Sequence, residues 1–253
     1  MPAEPEIRVT SASFSQPASA VADQALLTSL RTSIAEAGDP ARAPQMQRYM
    51  KSLMPFRGVS AVPLRALCRE VLDHHRLPDR PTWLATLLAL WDEASFREER
   101  YAALALARHR YYRPFQAPDL LDIHQYLVRT GAWWDYVDVV ASQLVAPLLR
   151  SGHNDVAPVM RSWSEHDDLW VRRTAVLSQL GSKARTDTDL LEHVLSRNLE
   201  GSRHGGEFFV RKAVGWALRE YARTDPDWVR DFVRRHDAAL SGISRREALR
   251  HLG

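Results

Sequence analysis

The sequence predicts an all-α fold built as a helical-repeat solenoid. From about Ala22 onward apolar residues recur at spacings of three and four, and the breaks between these segments carry Pro, Gly, Asp or Asn. No stretch alternates apolar and polar residues as a half-buried strand would. A short motif also recurs in which an arginine precedes a small or apolar residue by three: Glu99-Arg100-Tyr101-Ala102-Ala103, Val171-Arg172-Arg173-Thr174-Ala175 and Val210-Arg211-Lys212-Ala213-Val214. Arg100 and Arg172 stand about two periods apart, and Arg172 and Arg211 about one, for a repeat of about 40 residues, the length of a HEAT-type helix pair.

Taken in order, the periodic segments place helices near 22–37, 41–52, 62–75, 80–91, 94–109, 117–130, 134–150, 154–164, 168–180, 187–198, 206–223, 225–236 and 242–251. The first 21 residues, rich in Ala, Ser and Pro, have no basic segment followed by a continuous apolar one. They read as a disordered arm rather than a signal peptide, ahead of a single domain over 22–253. No apolar run approaches the roughly 18 residues needed to cross a bilayer, so the expected location is the cytoplasm. The single cysteine, Cys68, excludes an intramolecular disulfide and any multi-cysteine metal site within the chain, and reads as a small buried hydrophobe.

A formal charge of +3 permits an anionic partner without demanding one. Its distribution says more. If 171–180 and 210–222 are the inner helices of stacked pairs, Arg172, Arg173, Arg211, Lys212 and Arg219 form a basic stripe facing a concave groove. Trp216 follows Lys212 by four and precedes Arg219 by three, so it shares their face. An aromatic ring among cations is what nucleic-acid binding uses, cations for phosphates and a ring for a sugar or base. The alternative is a solvated helix face in which Arg172 or Arg211 braces a neighbouring repeat.

The segment Gly131-Ala132-Trp133-Trp134-Asp135-Tyr136-Val137-Asp138 precedes an apolar run. Gly131 can end one helix, and Trp134 and Asp138, four apart in the next, share a face. Indole and carboxylate side by side can hold a cation between them. A buried tryptophan at a helix start, with aspartate favouring the positive end of the helix dipole, is the bland counterpart.

Other chemistries lack their parts. Gly201-Ser202-Arg203-His204-Gly205-Gly206 has neither the Gly-Lys-Ser/Thr ending nor the preceding strand of a phosphate-cradling loop, and reads as a helix-to-helix connection. There is no His-Glu-x-x-His and no Gly-x-Ser-x-Gly, which disfavours metal hydrolysis and serine esterase chemistry.

The Trp133–Asp138 segment, Leu169-Trp170-Val171-Arg172-Arg173-Thr174-Ala175-Val176-Leu177 and the run Phe208–Tyr221 together resemble the three signature segments of AlkD-type alkylpurine DNA glycosylases. Arg48-Tyr49-Met50-Lys51 followed by Pro55-Phe56-Arg57-Gly58-Val59 is similar too, and the likeness runs in order over roughly residues 22–236. It implies HEAT-like repeats gripping duplex DNA in a concave face and hydrolysing the glycosidic bond of N3- or N7-alkylated purines, as a monomer with no metal or cofactor. Position by position, it implies Asp138 as the catalytic carboxylate, Trp134 and Trp216 as indoles flanking the deoxyribose, and Arg173 as a cleft arginine contacting DNA. Arg172, Arg211, Lys212, Arg219, Tyr49 and Lys51 are the expected DNA-binding residues. Two other functions compete with the glycosylase: a catalytically silent solenoid that binds distorted DNA, and a HEAT scaffold that binds protein.

Overall fold

A computed structural model of the chain describes residues 20–252; the expected N-terminal arm lies almost wholly outside them. Among the described residues the secondary structure is entirely helical. Helices before Pro118 form one compact unit, and those from Pro118 onward form another.

The first unit contains α1 (Gln24–Glu36), α2 (Ala43–Met50), α3 (Ala61–His74), α4 (Arg80–Asp92) and α5 (Arg97–Ala107), followed by a 3-10 segment, Arg110–Phe115. Aspartates set two of the starts: Asp23 accepts from the Leu26 amide and Asp79 from the Thr82 amide, satisfying donors that a first turn leaves open. Helices α1, α3, α4 and α5 pack on one another around Leu26, Leu30, Leu72, Leu90, Trp83 and Trp91, all buried. The unit also buries charge. Glu98 is fully enclosed and accepts from the amides of Arg57, Gly58 and Val59 at 3.0, 2.9 and 3.1 Å. Gly58 is required in that loop, because its φ is +90° and a Cβ would lie 2.1 Å from the Asp39 carbonyl oxygen. The 3-10 segment falls between the helices expected over 94–109 and 117–130 and contains Pro114, which cannot continue an α-helix.

The second unit contains α6 (Leu121–Gly131), α7 (Trp134–Val139), α8 (Ala146–Arg150), α9 (Val156–Trp163), α10 (Leu169–Leu177), α11 (Thr188–Ser196), α12 (Phe208–Tyr221), α13 (Pro226–Arg235) and α14 (Gly242–Ala248). Helices α7, α10, α12 and α14 lie side by side in chain order, with α6, α9 and α11 packed behind, as in a helical repeat. Asp168, Asp187 and Asp225 cap α10, α11 and α13. The expected helix over 134–150 is present with a difference: Val140–Val145 winds as a π-helix between α7 and α8, and the Ser142 hydroxyl donates to the Asp138 carbonyl. Where α14 crosses α12, Gly215 allows the contact, since a Cβ there would come 2.7 Å from Glu247 Cβ. No helix of the described residues is long and apolar enough to cross a membrane.

Candidate active site

Three aromatic side chains near the starts of successive helices build the floor of the site. Trp133 caps the start of α7, and Trp170 and Phe209 lie in the first turns of α10 and α12. Their rings meet at centroid distances of 5.9 Å for Trp133–Trp170, 5.4 Å for Trp133–Phe209 and 5.0 Å for Trp170–Phe209, all three buried. Such a cluster locks the three helix starts together. One turn further along, α7 presents Asp138 to α10.

There Asp138 meets Arg173 in a two-pronged ion pair. Arg173 Nε donates to Asp138 Oδ1 at 2.8 Å and Nη2 to Oδ2 at 2.9 Å, the fork geometry that suits a carboxylate. The third arm, Nη1, donates to the Phe209 carbonyl oxygen in α12. The Arg173 side chain is only 5% exposed and that of Asp138 15%. Burial pushes the Asp138 carboxyl above the usual carboxylate range; the Arg173 charge and hydrogen bonds oppose this, and Asp135 adds to the rise. Trp134, Asp135 and Asp138 share the half-exposed side of α7, while Tyr136 and Val137 point into the core. An indole and a carboxylate therefore lie on the same partly exposed face of α7.

Four of the expected cations are engaged by groups of the protein itself. Arg173 does not project toward a ligand, because its donors are turned onto Asp138 and Phe209. Arg172 is also buried, with its guanidinium donating to the carbonyls of Glu165, His166 and Arg197 just past the ends of α9 and α11. It braces adjacent repeats, where helix C-termini favour a cation, and is not part of an open basic stripe. Lys212 and Arg219 both reach Glu247 of α14, Lys212 at 3.3 Å, and Arg250 stands 3.8 Å from the same carboxylate. Burial alone would raise the Glu247 carboxyl, but Lys212, Arg219 and Arg250 together hold it below its ordinary value.

Arg211 is half-buried. Trp216 is half-buried against the core of α10 to α14, seven residues and so about 10 Å along α12 from Phe209. Among the described residues no hydrogen bond, ion pair or ring contact joins Trp216 to the Asp138–Arg173 pair. Tyr49, 78% exposed, and Lys51, in a left-handed conformation at the end of α2, belong to the first unit. The glycine-rich loop is held by Arg203, paired with Asp167, and by His204, whose ring contacts the Asp167 carbonyl at 2.7 Å.

Sequence reading missed Phe209 and Glu247 as partners of the site. Phe209 acts through its carbonyl, which no side-chain pattern reports. Glu247 lies 35 residues from Lys212 and 28 from Arg219. Among the described residues no group of three or more His, Cys, Asp or Glu side chains is placed to hold a metal ion.

The chain matches the model of a family described as "DNA alkylation repair enzyme" over residues 30–252. It is also similar to a solved structure titled "Predicted DNA alkylation repair enzyme from Enterococcus faecalis", at 29% identity and a TM-score of 0.74, covering 85% of this chain and 97% of that one. No curated protein matches it. With a family model spanning the helices of both units, α7, α10 and α12 included, the chain belongs to the DNA alkylation repair enzyme family.

Proposed function

We propose that this protein is a DNA glycosylase that hydrolyses the N-glycosidic bond of cationic N3- and N7-alkylated purines in duplex DNA, acting as a monomer. The observation that carries the reading is a carboxylate, Asp138, held at both oxygens by a buried arginine on the same half-exposed strip as an indole, Trp134.

Alkylation at N3 or N7 gives the purine a positive charge, so the base leaves neutral and needs no acid to protonate it. As the glycosidic bond breaks, its electron pair goes to the base and carbon 1′ approaches an oxocarbenium ion. A fixed negative charge stabilises that cation and requires no reorganisation at the moment of reaction. The remaining edge of the carboxylate orients the water that adds to carbon 1′ and releases a proton to solvent, with indole faces adding cation-type attraction. Arg173 is a positioning residue: its fork holds Asp138 in one rotamer, and its anchor on Phe209 ties that rotamer to α12. Trp216, with Lys212 and Arg219, supplies a ring and cations on α12 for the sugar-phosphate chain.

The test is incubation with duplex DNA containing one N7-methylguanine, scored for free base. The wild type is expected to release it, Asp138→Asn to release it at least about a hundredfold more slowly, and uracil to stay in place. Wild-type rates in Asp138→Asn, or efficient release of uracil, would overturn the proposal.

A further inference from the structure

A second concentration of positive charge lies in the first unit, away from Asp138 in sequence and in element. The cleft between α3 and the end of α5, about 280 Å³, is lined by Arg65, Arg69, Arg108 and Arg110, with Asp73 and the buried Cys68 among its other walls. Four guanidiniums face one carboxylate. Asp73 is already engaged, its Oδ1 standing 3.0 Å from His109 Nε2 and 2.9 Å from Arg110 Nη2. Cys68 adds no negative charge, because burial pushes its thiol up to about 12.

Helix-end electrostatics accounts for only half of the cluster. Arg108 is the C-cap of α5 and Arg110 follows it, where cations suit the helix dipole. Arg65 and Arg69 lie within α3, before its last turn, and stand four residues apart, a spacing at which like charges repel. Among the described residues neither forms a hydrogen bond or ion pair. Burial first, and the charge of Arg65 after it, push Arg108 below its ordinary value. The fold thus gathers four guanidiniums around one cavity, and two of them, Arg65 and Arg69, have no ion-pair partner among the described residues.

We infer that this cleft is a binding site for a phosphate group, gripped by Arg65 and Arg69 and flanked by Arg108 and Arg110. Its volume suits one phosphate with an attached sugar; whole small-molecule ligands occupy about 300–1,000 Å³. The phosphate comes either from a DNA backbone, a source that rests on the function proposed above, or from free phosphate or a phosphate monoester.

The experiment uses full-length protein and the double variant Arg65→Gln/Arg69→Gln. Both side chains are exposed, and an unchanged melting temperature in chloride buffer checks the fold. In the first arm, inorganic phosphate is titrated against chloride at matched ionic strength. A saturable rise of about a few degrees in wild type, absent in the variant, assigns the site to free phosphate. In the second arm, binding of undamaged duplex DNA is followed across salt concentrations in the Asp138→Asn background, so that base release plays no part. A loss of about tenfold in affinity at physiological salt, with a salt slope shallower by about two, assigns it to the backbone. Failure of base release in wild type would remove the proposed glycosylase and leave the first arm standing. A variant equal to its parent in both arms overturns the site.

Discussion

Replacing Arg173 by alanine separates the structural part of the site from its chemistry. The substitution removes two hydrogen bonds of 2.8 and 2.9 Å to Asp138 and the contact with Phe209, and leaves a carboxylate only 15% exposed without its partner. Deleting one member of a buried ion pair costs about 3–5 kcal/mol. For a chain of this size that is a fall of about 10 °C in the melting transition of the unit that carries it. The stranded carboxylate escapes part of this cost by taking up a proton, so the pH at which Asp138 ionises rises further and the acid limb of base release moves up. Raising the pH should therefore recover part of the Arg173→Ala rate. Asp138→Asn removes the stranded charge, so adding it to Arg173→Ala should cost less than the two single changes together, with a coupling of about 2 kcal/mol. Arg173→Lys, which keeps the charge and loses the fork, should fall between wild type and alanine. Denaturant unfolding of the four members of the cycle, with pH–rate profiles of the active ones, measures these effects. The slope of DNA affinity against salt should stay as it is, because the guanidinium donors face protein groups. Full stability in Arg173→Ala together with a salt slope shallower by about one would refute this reasoning and return Arg173 to a phosphate contact.

Three further outcomes follow. Because burial raises the Asp138 carboxyl and only its ionised form stabilises a cation, base release should decline as pH falls through a midpoint above 3.8, and the residual activity of Asp138→Asn should lack that limb; equal pH profiles would dissociate Asp138 from the limb. Trp133→Ala, at a fully buried ring, should cost about 3–5 kcal/mol of stability, whereas Trp134→Ala should melt close to wild type and release base about tenfold more slowly; thermal melts and single-turnover rates exchange the two roles if the pattern is reversed. His124 is buried in α6 and held down to about 4 from 6.5, so the folded state keeps it neutral while the unfolded chain takes up a proton; stability is full above about 6.5 and falls by about 3 kcal/mol as pH drops toward 4, a loss that urea unfolding of His124→Leu should show reduced.

Much of this fold was legible in the sequence because its helices announce themselves locally. Asp23, Asp79, Asp168, Asp187 and Asp225 cap starts that the break pattern had already marked, and each expected segment contains an observed helix. The π-helix after Asp138 was not legible: Val-Ala-Ser-Gln-Leu-Val carries no mark of one extra residue per turn, which tertiary packing imposes. The site was legible as a set of residue types and not as directions. Arg172 and Arg173 are neighbours about 100° apart around α10. Both were expected in an open groove, with bracing of a neighbouring repeat as the alternative for Arg172; packing by α7, α9, α11 and α12 gave Arg172 that alternative and turned Arg173 onto Asp138. Asp138 and Trp134 needed only one helix to share a face, so local spacing was enough to pair them. Glu247 required knowledge of which distant helix crosses α12, and Gly215 records that crossing only once the partner is known.

The two buried arginines show why counting cations along an inner helix overstates the charge offered to DNA. Arg172 is neutralised by carbonyl dipoles at the ends of α9 and α11, Arg173 by a carboxylate, and Lys212 and Arg219 share Glu247. None of these four is a free charge waiting for a phosphate. A phosphate approaching Lys212 or Arg219 must compete with Glu247, and only the part of the attraction that exceeds the existing ion pair contributes to affinity. Arg173 faces no such competition because its side chain is only 5% exposed and its donors are turned onto Asp138 and Phe209. The same arrangement has a benefit for the proposed reaction. Phosphate-seeking arginines beside the scissile bond would oppose a developing cation at carbon 1′, whereas an arginine turned inward onto Asp138 leaves the carboxylate and the indole as the groups facing that strip. The guanidinium then serves the reaction by fixing where the negative charge sits, and its own positive charge is partly screened from the sugar by the carboxylate it holds.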